Sequence, residues 1–172
     1  MNKNNIINLV GFQLCWWACV LFAKTEYPYA GPFLMACFIL FHFWKISENN
    51  FEIKLILIFS LVGTTIDSLL MRSTILNYEG LYSPIIPIAP LWITAMWCGF
   101  SATVNHSMLW LDKKWFLSFI LGMVFGPLSY ITAEKFGAIS FSADFKIIVI
   151  TLALVWGLSM PFIYWVNNKL KT

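Results

Sequence analysis

Within the apolar runs of this sequence one acid stands apart. Asp67 lies on a helical stripe with Ser60, Gly63 and Thr64. An ionisable side chain held at bilayer depth is costly, about 3 kcal/mol on insertion scales, so it is kept there for a use or a partner. Three uses fit a lone carboxyl: passing a proton or cation, orienting the polar head of a ligand, or forming half of a structural pair. The candidate partners are Arg72, five residues on, and Tyr130 and Glu134 in a later run, near Ser129 and Thr132. Pairing with Glu134 would need a shared proton, because adjacent carboxylates resist joint ionisation. A second set of polar groups collects towards the opposite ends of the runs: Gln13, His42, Asn105 and His106, with Tyr164. Asn and Gln at such places commonly bridge helices, and a single His near a span end commonly sits at the interface. Asn105 and His106, however, follow a stripe of small residues, Ala95, Cys98, Gly99 and Ala102.

The chemistry these residues exclude is broad. Two histidines fall short of the ligand number of a zinc site. No His-x-x-x-His spacing, phosphate loop, dinucleotide fingerprint, calcium loop or nucleophile elbow occurs. Neither a metal nor a cofactor is expected. Cys15, Cys19, Cys37 and Cys98 all fall inside apolar runs, where they read as small packing residues.

The elements that carry these groups follow from composition. Of 172 residues, 60% are hydrophobic and 11% charged, with a mean hydropathy of +0.77. Soluble domains are nearer about 45–50% apolar and about 25% charged. That excludes a soluble enzyme, a disordered tail and a nucleic-acid binder; the net charge of +3 comes mostly from scattered lysines and marks no phosphate-binding patch. Six apolar runs, over 5–23, 29–44, 55–71, 89–111, 115–133 and 147–166, predict an all-α, polytopic membrane protein, a compact bundle of about six transmembrane helices in a single domain. Lys3, Lys45, Lys54, Lys113, Lys114, Lys169 and Lys171 fall on one side of these spans; Lys24, Arg72, Lys135 and Lys146 fall on the other. The excess predicts both termini in the cytoplasm.

Ser118, Gly122 and Gly126 form a small-residue ladder for close helix packing. Leu81–Pro90, with prolines at 84, 87 and 90, predicts an extended segment. Phe136–Ala143 is apolar yet outside a span, and reads as a segment lying in the interface or folding back as a lid. No internal repeat extends beyond a shared Trp-small-small pattern and two Gly-Pro pairs.

Four stretches, GFQLCWWACV, the Asp67 stripe, APLWITAMWCGFSATVNHSMLWL and LGMVFGPLSYITAEKFGAISF, together resemble a family of small bacterial inner-membrane proteins known only as a domain of unknown function. The tract Gly126, Pro127, Leu128, Ser129 and Tyr130 is the most specific part. The resemblance spans nearly the whole chain and implies a helical bundle in the bacterial plasma membrane. It brings no activity, substrate or catalytic residue.

The expected function is binding or handling of a small hydrophobic or lipid-like molecule, as a component of lipid metabolism, with Asp67, His106, Asn105, His42, Gln13, Arg72, Tyr130 and Glu134 as candidate head-group contacts. Membrane lipids are the expected partners. Two other readings stand beside it: a small proton- or cation-linked transporter using Asp67, and a structural subunit without a ligand. A transporter should gather its polar groups near the midplane, whereas here they divide into two sets.

Overall fold

Apolar chain in a bilayer must satisfy its own backbone, and helices do so within one segment. The computed structural model describes residues 3–47, 49–82, 85 and 87–171. It contains α1 (Lys3–Phe22), α2 (Ala30–Lys45), α3 (Phe51–Arg72), β1 (Leu76–Tyr78), α4 (Leu91–Ser101), α5 (Trp115–Lys135), β2 (Ile139–Phe141) and α6 (Phe145–Leu170). Helices α1, α3, α5 and α6 are long and apolar enough to cross a membrane, and α2 and α4 are shorter apolar helices. The protein is therefore a multi-pass, all-α membrane protein carrying one small β-ribbon. Helix α1 packs on α2 and α4, α3 on α4 and α6, and α5 on α6.

The fourth run behaves differently from the continuous helix expected over 89–111. Helix α4 ends at Ser101, and turns and a single 3-10 turn at Leu109–Leu111 carry the chain onward. Tertiary contacts hold this irregular stretch. The Asn8 side chain on α1 donates to the Ala102 carbonyl at 3.0 Å and accepts from the Ser107 hydroxyl at 2.7 Å. Irregular backbone is tolerated at membrane depth when protein groups satisfy it in this way.

The segment after α5 forms a strand and not a loose lid. Helices α3 and α5 end in the same manner. After α3, Ile75 N–H bonds back to Leu70 and Thr74 N–H to Met71; after α5, Ala138 N–H bonds back to Ala133 and Gly137 N–H to Glu134. Thr74 and Gly137 both take positive φ, 55° and 75°, as this helix-ending motif requires. Each motif releases the chain into a strand, and β1 and β2 pair antiparallel, Leu76 with Phe141 and Tyr78 with Ile139.

The correspondence runs from each helix into its strand. At constant spacing, Gly63 matches Gly126, Asp67 matches Tyr130, Arg72 matches Lys135, Thr74 matches Gly137 and Leu76 matches Ile139. The segments α3–β1 and α5–β2 are thus a repeat, related by a local pseudo-two-fold through the antiparallel strand pair; α4 and α6 follow outside that spacing. Trp97 of α4 and Trp156 of α6 stack, ring centroids 4.6 Å apart and nearly coplanar. Trp97 lies against Gly63, and Trp156 against Gly122 and Gly126, where a Cβ would collide with the indoles or their backbone. The expected Ser118–Gly122–Gly126 ladder is therefore buried against α6. Of the extended Leu81–Pro90 segment, Pro90 has the expected backbone, φ −66° and ψ 162°, while Pro84 lies outside the described residues.

Candidate functional site

Asp67 is fully buried and receives three hydrogen bonds. Tyr78 and Tyr130 donate their hydroxyls to Oδ1, at 2.7 Å and 2.5 Å, and Trp97 donates its indole N–H to Oδ2 at 2.8 Å. The stripe places it there: Ser60, Gly63 and Asp67 all point into the bundle, and the β-ribbon brings Tyr78 back over the end of α3. Burial, and then the carboxyl beside it, push the Tyr78 phenol well above its ordinary range, so it stays a donor. Asp67 meets its repeat counterpart Tyr130 across the pseudo-axis.

Two of those donors also form a wall. Trp97 and Tyr130 face a cavity of about 470 Å³ between α1, α4, α5 and α6. Its remaining surface is chiefly Phe, Trp, Met and Leu, with Gln13, Ser129 and Thr132 as the polar additions and no charged side chain among the described residues lining it. Side-chain packing explains why space remains. Between α3 and α6 the Phe59 and Phe162 rings fill the gap edge to face, centroids 5.6 Å apart. The gap between α4 and α5 has no such ring pair among the described residues and is covered by Phe12, Trp16 and Trp17 of α1. Exposed Phe125 and Leu128 lie on its margin. The Trp156 indole N–H, on the same wall, lies near the Tyr130 hydroxyl but makes no hydrogen bond of acceptable geometry.

The second polar set gathers at the end that carries both termini, where Asn4 and Lys171 line one small cavity. His42 Nε2 is 3.1 Å from Glu52 Oε2, and His106 Nε2 is 3.1 Å from both Glu52 oxygens. Asn8 closes the network on the far side of His42, its Nδ2 3.3 Å from Nδ1. Alongside, Asn105 and Asn167 exchange reciprocal amide bonds of 2.9 and 2.8 Å, and Tyr164 donates to the Met108 carbonyl at 2.7 Å.

The residues singled out in the sequence therefore divide. Asp67 and Tyr130 meet. His42 and His106 meet, with their rings 4.8 Å apart, and Asn105 joins the neighbouring helix pair. Gln13 sits exposed on the rim of the apolar cavity. Arg72 does not reach Asp67: five residues on, it points elsewhere around the helix, and its Nε donates to the Pro87 carbonyl at 3.3 Å. Glu134 is exposed on α5 and takes no part in the Asp67 network. Sequence reasoning missed Asn8, Glu52, Tyr78, Trp97, Trp156 and Asn167. The signal for Glu52 was its position one residue into α3, at the depth of His42 and His106.

The chain belongs to the family described as "Protein of unknown function (DUF2878)", which matches residues 5–162. No curated protein and no solved structure matches it.

Proposed function

We propose that the protein binds an uncharged, lipid-like molecule in the cavity between α1, α4, α5 and α6, as a component of lipid metabolism in the bacterial inner membrane. The observation that carries this is the cavity itself: about 470 Å³, walled almost wholly by apolar and aromatic side chains. Ligand pockets typically run about 300–1,000 Å³ and combine apolar walls with a few placed polar groups. Here Gln13, Ser129 and Thr132 supply those groups. A phosphate head group would meet no cation on this wall, so the favoured occupant is neutral. Asp67 acts from behind the wall, fixing the rotamers of Trp97 and Tyr130. A transporter using Asp67 would have to free it from three donors and open it to water, and here it is enclosed by Tyr78, Tyr130 and Trp97.

The five tryptophans on the wall, Trp16, Trp17, Trp97, Trp110 and Trp156, provide the readout. Brominated neutral lipid analogues should quench their fluorescence saturably in the purified protein. Leu121→Trp and Met96→Trp, which add bulk at the wall, should each weaken that quenching at least tenfold while the protein stays monodisperse. Equal quenching in the wild type and in both variants would sink the reading.

Orientation is part of the same proposal. Asn4 and Lys171 share one end of the bundle, and the lysine excess assigns that end to the cytoplasm. Reporter fusions at Lys171 should be active only in a cytoplasmic assay, and fusions at Tyr82 only in an external one. The same result at both sites would refute the assignment.

A further inference from the structure

The His42–Glu52–His106 cluster has no role in the cavity and lies at the other end of the molecule. We propose that it is a mononuclear site for a divalent first-row metal ion of the zinc type, bound by His42 Nε2, His106 Nε2 and the Glu52 carboxylate, with an open position toward the small polar cavity beside it. This site stands independently of the lipid-binding cavity.

Three elements deliver the ligands. His42 sits in the last turn of α2, Glu52 in the first turn of α3, and His106 in the irregular turns after α4. Asn8 holds those turns through Ala102 and Ser107; a continuous helix would have carried His106 elsewhere. Two imidazole nitrogens and one carboxylate are the donor set of hydrolytic zinc sites and of ferrous facial triads. Their candidate ligand atoms already lie within 4.8 Å of one another. Ligands about 2.1 Å from an ion at the tetrahedral angle stand about 3.4 Å apart, close to the 3.1 Å His–Glu separations observed. The wider separation closes by movement of His106, the one partly exposed ligand.

Protons balance without an added acid or base. Each imidazole directs Nε2 at Glu52. Coordination through Nε2 moves the proton of each neutral ring to Nδ1. For His42 that nitrogen faces the Asn8 side chain, whose amide, turned over, offers its oxygen to the new N–H as an outer-shell acceptor. The turn costs the Ala102 carbonyl its Asn8 donor and the Ser107 N–H its Asn8 acceptor, while the Ser107 hydroxyl must rotate to accept from the amide instead.

The adjoining cavity, about 390 Å³, is lined by Glu52 and His106, by four asparagines and Lys171, and by Ile46, Phe51 and Leu109. Its mainly polar wall, with Lys171 as the one lysine or arginine among the described residues lining it, suits water or an anionic oxygen as the exchangeable partner of the ion. Three protein ligands and an open position are the pattern of a reactive site and not of a purely structural one.

The test uses the full-length protein in detergent, with any affinity tag removed and metal stripped by a chelator. Cobalt(II) titration should give one ion per chain with the visible bands of a four- or five-coordinate centre, and zinc should displace it and raise the melting temperature. Glu52→Gln and His106→Ala should each lower cobalt affinity at least tenfold and abolish the zinc-dependent rise. His106 is partly exposed, so His106→Ala should retain the fold, checked by monodispersity. Absence of a cobalt spectrum in the folded wild type, or unchanged affinity in folded His106→Ala, would overturn the site and leave the lipid reading untouched.

Discussion

Asp67→Leu is expected to yield no monodisperse protein, and Asp67→Asn a folded protein of lowered stability. Leucine leaves three buried donors, from Tyr78, Tyr130 and Trp97, without their acceptor. Each orphaned donor costs about 1–3 kcal/mol, so the sum is on the order of 5 kcal/mol, comparable with the whole stability of many domains. Asparagine keeps one oxygen for the two tyrosines but turns its amide N–H toward the Trp97 indole, and about 1–3 kcal/mol is lost. Size-exclusion chromatography reads the first change, and thermal unfolding followed by tryptophan fluorescence the second. Because the cost of Asp67→Asn arises at Trp97, it should shrink in a Trp97→Phe background; neighbours that share a partner are not additive. A leucine variant that melts with the wild type would remove Asp67 from any structural role.

The same network shows what the sequence made legible. The Asp67 stripe was readable because helical periodicity alone turns Ser60, Gly63 and Asp67 to one side. Its partners were not, apart from Tyr130. Trp97 reads as one more apolar residue in a run of them, and Tyr78 arrives only through a three-residue strand, too short to leave a periodic signal. Arg72 attracted attention as the nearest cation, yet its angle around the helix carries it to Pro87. The six apolar runs were plain from hydropathy. The early end of α4 was less plain: Ser101 and Thr103 turn their hydroxyls onto carbonyls of the preceding turn, and the Asn8 side chain, nearly a hundred residues away in sequence, satisfies the freed Ala102 carbonyl.

The repeat was hidden for a related reason. Its geometry rests on two glycines, two helix-ending motifs and two strands, while the other matched positions have diverged, Asp67 against Tyr130 most of all. That divergence is functional in form, because an acceptor placed opposite a donor across a pseudo-axis makes a bond that two identical residues would not. Gln13 and the α1 tryptophans lie outside the repeat, and they cover the gap between α4 and α5. The cavity thus arises where an added helix meets that gap.

Gly63→Ala tests that core with a single methyl group. The new Cβ would fall on the Trp97 indole, and the ring has nowhere to retreat. Its other face is stacked on Trp156 at 4.6 Å, and Trp156 in turn lies on Gly122 and Gly126. Overpacking of this kind costs about 1–3 kcal/mol, and displacing the indole also breaks its bond to Asp67, worth roughly 1 kcal/mol more. For a chain of this size the sum corresponds to a fall in melting temperature of roughly 5–10 °C. Gly157→Ala is the milder comparison. That glycine is also buried in a helix, and its Cβ would meet Met123 Cγ at 2.7 Å and the Phe119 ring at 3.2 Å, contacts that a change of Met rotamer and a small ring shift relieve in part. Gly63→Ala should therefore lose more stability and more lipid-analogue quenching than Gly157→Ala. Equal melting temperatures for the two variants would show that the Gly63–Trp97–Trp156–Gly126 stack does not brace the bundle, and that the cavity wall is set by something else.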